Sequence, residues 1–283
     1  MMMKKQLIVL CTLLFSVVSF AQHITCSPKD SIAFNDKIKQ IKALPKSNTF
    51  GDSLTAIGKT FLEIPYVAKT LEIGKKESLV VNLQGLDCTT FVENVLAFGL
   101  ISRADNLQFL DFTNALKKIR YRDGNLDGYG SRLHYFTEWI SNNETKDLVK
   151  NITNDLGGKI VKKEINFMGT HRDLYPFLKD DANYNTILES EEVLKQNEFC
   201  VLSADDIAAN EHLIQTGDII ALATSIKGLD VTHTGIAIRA QDGHIHMLHA
   251  STGSMQVEIT KLPLVDYLKK IKSNIGIMVA RPI

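Results

Sequence analysis

Leu86-Asp87-Cys88-Thr89-Thr90-Phe91-Val92 places a cysteine at the head of an apolar stretch in which Phe91, Val92, Val95, Leu96 and Gly99 recur at helical spacing. The spacing predicts a helix from Cys88 to about Leu100. Two caps suit it: Asp87, or Thr90 with Glu93 at capping-box spacing, and the choice moves Cys88 by less than one turn. Either way the thiol stands at a helix N-terminus, where unpaired backbone N–H groups and the helix dipole favour an anion. The thiol pKa is therefore expected to fall, and the same N–H groups are candidate donors to an oxyanion. A lone cysteine is also commonly just a small buried hydrophobe, so a catalytic reading needs partners elsewhere in the chain.

Those partners are histidines. A thiol nucleophile needs an imidazole in hydrogen-bond reach and a third polar group to orient it. Thr232-His233-Thr234-Gly235-Ile236-Ala237-Ile238 puts His233 at the start of a β-prone run, and Met247-Leu248-His249-Ala250-Ser251 puts His249 at the end of the next. Gly243 lies between them, which predicts a hairpin that brings the two rings together. Strand alternation places Ile245, Met247 and His249 on the inward face and turns His244 and His246 to solvent. A zinc site is the rival reading of these histidines. Zinc needs about four ligands, and no acidic or cysteine ligand stands at a helical or hairpin spacing beside them. No metal or other cofactor is expected.

Around this nucleus, residues 31 to 75 read as helical with breaks near Pro45 and Gly51, and residues 106 to 120 as a second amphipathic helix. Residues 123 to 130 are turn-rich, and a helix restarts between His134 and Ile140. Ile165 to Met168, residues 217 to 222, 235 to 238 and 244 to 249 are short, apolar and β-prone. Helices followed by antiparallel strands predict an α+β domain. The expectation is one domain over residues 22–283, with residues 141–215 as a possible insertion or subdomain.

The N-terminus, Met1-Met2-Met3-Lys4-Lys5 followed by an apolar run from Leu7 to about Phe20 and then Ser19-Phe20-Ala21, has the form of a signal peptide cut before Gln22; an uncleaved anchor is the alternative. Export to the periplasm or the extracellular space is expected, with no membrane insertion after cleavage. Cys11 would leave with the signal, so Cys26, Cys88 and Cys200 remain. An oxidising compartment allows a Cys26–Cys200 bridge and a free Cys88, or all three are free. The 283 residues carry 32 basic and 32 acidic side chains, so no net field draws the protein to nucleic acid.

The same residues carry a resemblance. The aspartate-cysteine helix start, Gly217-Asp218-Ile219-Ile220, His233-Thr234-Gly235-Ile236-Ala237-Ile238 and Met247-Leu248-His249-Ala250-Ser251 resemble, in order, the motifs of the NlpC superfamily of cell-wall cysteine peptidases. Ile64-Pro65-Tyr66-Val67 is similar to its proline-tyrosine segment, although the stretch from Tyr66 to Cys88 is longer than in ordinary members. Within the superfamily, Leu86 to Ala97 and Ser131-Arg132-Leu133-His134-Tyr135-Phe136-Thr137-Glu138-Trp139 resemble the N-acetylmuramoyl-L-alanine amidase-like family. The resemblance implies a papain-like fold with helices on an antiparallel sheet or partial barrel. It implies hydrolysis of the N-acetylmuramoyl-L-alanine bond of peptidoglycan fragments; a monomer is expected, although the sequence does not read out oligomeric state. It also implies roles: Cys88 as nucleophile, His233 as base, His249 as its orienting group, Tyr66 and the Cys88 N–H as oxyanion donors. Arg132, His134, Tyr135 and Trp139 are candidate substrate contacts, with Arg132 pairing a stem-peptide carboxylate and Trp139 stacking on a sugar. Asp87 is a helix cap. A γ-D-glutamyl endopeptidase, a non-catalytic wall-binding module and a metallohydrolase are the competing functions.

Overall fold

The computed structural model describes residues 24–103 and 107–283; the expected signal peptide lies outside the described residues. The chain opens with β1 (Ile24–Thr25), paired in parallel with β2 (Leu79–Val80). Between them run α1 (Pro28–Lys42), held by a Ser27–Asp30 capping box, and α2 (Phe50–Lys59), capped by Thr49. The helical reading of residues 31–75 therefore holds only to Lys59, after which the chain runs as turns and extended backbone to β2. The helical half is completed by α3 (Cys88–Ser102), α4 (Phe109–Arg120) and α5 (Phe136–Thr145).

The second half supplies β3 (Val149–Asn151), β4 (Lys159–Val161), α6 (Phe167–Thr170), α7 (Asp181–Leu194), β5 (Phe199–Ser203) and α8 (Ile207–Asn210). It ends with β6 (Ile219–Thr224), β7 (Val231–Arg239), β8 (Ile245–Ser251), β9 (Gln256–Ile259), α9 (Leu264–Lys269) and β10 (Asn274–Pro282). Eight strands form one sheet in the order β4-β5-β10-β6-β7-β8-β9, with β3 added beside β10. Each neighbouring pair is antiparallel. The α+β architecture is as expected. One segment differs: Ile165 to Met168 turns into α6, because the Asn166 and Phe167 amides donate to Gly228 O and the Met168 amide to the Tyr135 hydroxyl. Tertiary hydrogen bonds override local β propensity there.

Alternation along β6 shows how the sheet is covered. Ile219, Ala221 and Ala223 join a large core with Phe91, Phe98 and Trp139 from the helical half. Ile220 and Leu222 face a second core with Met247 and Leu264. Both faces of the central strands are buried, which is why His246, expected to face solvent, is only 7% exposed and bonds to Thr260 O and the Asp242 carboxylate. His244, at the hairpin turn, is exposed but pairs with Glu211. A third, smaller cluster joins Ile165, Met168, Phe177, Leu178, Ile187 and Leu194 to Tyr129 and Tyr135. The 141–215 segment thus contributes β3, β4 and β5 to the sheet and a satellite core above it.

The helical half is tied together by charge. Arg120 Nε donates to Glu93 at 2.7 Å, both side chains being 2% exposed. Arg120 Nη1 also donates to Val80 O at 2.6 Å, linking α4, α3 and β2. Removing one member leaves the other charge buried and alone, which costs about 3–5 kcal/mol. Arg120→Met is expected to lower the unfolding free energy by that amount in urea titration, and adding Glu93→Leu should restore most of it.

Candidate active site

The start of α3 is set by a short circuit of hydrogen bonds. Asp87 is the N-cap: its carboxylate accepts the Thr90 amide at 2.8 Å, while the Thr90 hydroxyl accepts the Asp87 amide at 2.9 Å. Glu93, the alternative capping partner in sequence, is committed to Arg120 instead. Cys88 is therefore the first helical residue. Tyr66 is fixed beside it by backbone pairing, with the Leu86 amide donating to Pro65 O and the Val67 amide to Leu86 O. Burial and the nearby Cys88 and Asp87 charges push its phenol up to about 12.

His233 is aimed by a bulge. Leu222 of β6 opposes His233 and Ala223 opposes Val231, so Thr232 is the extra residue. Such an insertion bends a strand and redirects the neighbouring side chain. The Thr232 hydroxyl bonds to Asn274 at 3.1 Å, which anchors the bulge against β10. On β8, His249 is fully buried. His233 Nε2 and His249 Nδ1 lie 2.5 Å apart, with the rings edge to face.

Burial dominates the electrostatics. It holds His233 down at about 4, and it holds His249 down at about 3 with His233 adding to the effect. Near neutrality both rings are thus uncharged, and the bond between them uses one N–H and one lone pair. Burial also pushes the Cys88 thiol up, and the Asp87 carboxylate adds to this; the Thr234 amide and hydroxyl and the Thr89 hydroxyl oppose it. This reverses the expectation drawn from the helix terminus. Desolvation disfavours a thiolate more than the local donors favour it.

Cys88 and His233 line one cavity of about 290 Å³. Its roof is Met168, Leu174, Tyr175 and Pro176, from the satellite core and the turns beside it. Arg132, His134 and Tyr135 line it, each already held by the protein. Arg132 pairs with Glu72 at 3.1 Å and Glu77 at 3.3 Å, so two internal carboxylates take the place expected of a substrate carboxylate. His134 Nε2 donates to Tyr129 O at 2.9 Å, and burial keeps its ring neutral. Tyr135 donates to Glu191 at 2.7 Å and anchors the roof. Asp87 also lines the cavity.

One expectation is corrected. Trp139 is fully buried and stacked on Phe136 at 4.7 Å, so it is a core residue with no surface to offer a sugar. Tyr66 stands beside the start of α3, outside the residues that line this cavity. Of the two alternatives for the cysteines, the structure has the second: Cys26, exposed before α1, Cys88, and Cys200, buried in β5, are all free thiols. Sequence reasoning missed Glu72, Tyr175 and Asp230 of the cavity wall, which stand in irregular segments without periodicity. It also passed over Thr234, whose position beside His233 was the available signal. Among the described residues, no group of three or more His, Cys, Asp or Glu is placed to hold a metal, and no helix is long and apolar enough to cross a membrane.

The profile of the AmiA-like, N-acetylmuramoyl-L-alanine amidase-like family matches residues 56–277. The chain belongs to that family. It is similar to the crystal structure of an N-acetylmuramoyl-L-alanine amidase from Bacteroides uniformis, with 37% identity and a TM-score of 0.79 over 83% of this chain and 99% of that one. A Bacteroides fragilis structure named as a candidate xylanase is 41% identical, with a TM-score of 0.75 over 79% of this chain and 98% of that one. A Legionella pneumophila structure shares the fold, with 19% identity and a TM-score of 0.66. No curated protein sequence matches the chain. This amidase-like protein is a mixed α and β hydrolase-family chain in which the thiol, two imidazoles and a roofed cavity converge.

The thiol electrostatics are directly measurable. With both thiols free, Cys88 half-buried in the cavity wall and its thiolate disfavoured, iodoacetamide at pH 8 should alkylate exposed Cys26 faster than Cys88 in peptide mass analysis. A faster Cys88 would mean that the helix terminus outweighs burial.

Proposed function

We propose that this protein is an exported, cysteine-dependent amidase that hydrolyses the N-acetylmuramoyl-L-alanine bond of peptidoglycan fragments. The observation that carries the reading is the shared cavity: Cys88 at the tip of α3 and His233 on the bulged start of β7 face the same space, with His249 bonded behind His233. Family membership supports amide hydrolysis of a peptidoglycan-type substrate.

The mechanism follows from the neutral resting pair. Cys88 gives its proton to His233 as the sulfur attacks the amide carbonyl. His233 then carries that proton to the departing amine, and water, deprotonated by the same ring, releases the sugar acid from the thioester. The Cys88 amide, at the helix tip, points its dipole at the developing oxyanion. Tyr66, held beside the helix tip with its phenol protonated, is the second donor in this proposal. Asp87 keeps α3 in place. Arg132, His134 and Tyr135 shape the cavity wall.

A carboxylate-pair glycosidase is the chemistry suggested by the name of the Bacteroides fragilis relative. Here the cavity carboxylates are committed elsewhere: Asp87 caps α3, Glu72 holds Tyr129 and Arg132, and Asp230 accepts from Thr137. The thiol and imidazole are the groups left to react, which favours acyl transfer. Residues 1–21 would act as the signal peptide, the papain-like NlpC placement follows the motif order, and the protein would act as a monomer outside the cytoplasm.

Defined muropeptides incubated with the mature protein should yield free stem peptide with an N-terminal L-alanine, read by mass spectrometry. Cys88→Ala should lower the rate by at least roughly a thousandfold. A cut inside the peptide, or in the glycan, overturns the bond assignment.

The pH profile adds an independent check. A base must be unprotonated to accept, so kcat/KM should fall as pH drops through the His233 value of about 4 and stay high above it. An acid limb at 6.5 or higher would show that the ring is not desolvated as described.

A further inference from the structure

We propose that Glu258 is a positioning residue whose carboxylate accepts the Nε2–H of His249 and so dictates which nitrogen of His233 is left to take the Cys88 proton. The proposal rests on the amidase reading above for its catalytic meaning, while its structural content stands apart from any substrate.

His249 Nδ1 is used by His233, and His249 Nε2 is buried without a hydrogen-bond partner. Such an orphan in a fully buried ring is costly. Glu258 stands directly across from His249 in the β8–β9 pairing, so both side chains project from the same face. Its Oε1 lies 3.9 Å from that nitrogen, and its side chain is 26% exposed, leaving it room to rotate. The gap exceeds a normal N–H···O bond by about 1 Å. The Tyr267 ring lies edge-on to His249 at 5.4 Å and closes the pocket on the α9 side.

The consequence is a chain of tautomers. With Glu258 accepting, His249 carries its proton on Nε2 and presents a lone pair at Nδ1. His233 must then donate from Nε2, which leaves its Nδ1 unprotonated and able to accept from Cys88. In the opposite arrangement His249 donates from Nδ1, His233 holds its proton on Nδ1, and no lone pair remains for the thiol. Both rings are neutral, so each arrangement carries one proton per ring, and the carboxylate selects between them. Once His233 has taken the Cys88 proton, that proton stays on His233, and the Glu258 carboxylate stabilises the imidazolium through the oriented His249 ring.

The test is nitrogen-15 NMR of histidine-labelled full-length mature protein, which reads ring tautomers directly. The wild type should show both His233 and His249 with Nδ1 unprotonated. Glu258→Thr, suited to a strand but too short to reach, should scramble or reverse both tautomers and lower kcat at least roughly tenfold with KM unchanged, because Glu258 does not line the cavity. Glu258→Gln, which keeps an acceptor oxygen, should retain the wild-type tautomers and more of kcat than Thr. A wild-type His249 protonated on Nδ1, or Glu258→Thr with unaltered tautomers or unaltered kcat, overturns the proposal. If the wild type cleaves no muropeptide, the amidase reading fails, and the spectra alone still decide the relay.

Discussion

The 2.8 Å hydrogen bond from the Thr90 amide to the Asp87 carboxylate determines where α3 begins, and with it where the Cys88 thiol enters the cavity. One residue earlier or later, the Cys88 side chain would turn by about 100° around the helix axis and leave the cavity. The cap also exacts a cost, because the carboxylate that fixes the sulfur in space makes its anion less favourable. Position and ionisation are set by the same group and pull in opposite directions. The arrangement keeps a neutral thiol and a neutral imidazole in one cavity, and in the proposed mechanism charge appears only as the reaction proceeds.

Burial extends this logic to the β side of the site. The central strands are covered on both faces, so His249 sits in a place where an imidazolium is strongly disfavoured. A ring in that environment is useful as an uncharged dipole with a defined orientation. The Thr232 bulge supplies the remaining freedom, since a regular strand would commit His233 to strict alternation with its neighbours. Rigid packing and one local irregularity together produce the geometry.

Much of this was legible in the chain itself. The α3 helix, the β7–β8 hairpin and the pairing of His233 with His249 follow from apolar spacing and a single glycine, because these are local signals that tertiary contacts reinforce. His246 was misjudged because alternation tells which face a residue takes, not whether that face is covered. Trp139 was misjudged for the related reason that an aromatic residue in a motif looks the same whether it packs inward or outward. The fall expected for the Cys88 pKa failed because the helix dipole is readable from sequence, whereas desolvation depends on everything packed around the sulfur. The acidic partners of Arg132, Glu72 and Glu77, come from an irregular loop some sixty residues upstream, where no period announces them.

The buried residues of the satellite core are distinct from those of the two cores that hold the sheet, and Tyr135 fastens it to the cavity through Glu191 and Met168. The ceiling over the reactive sulfur is therefore a separately supported part. Met168, Leu174 and Tyr175 belong to that part, while Cys88 and His233 stand on α3 and β7. Under the proposed chemistry, the lining that selects a guest and the groups that act on it belong to two different pieces of the chain.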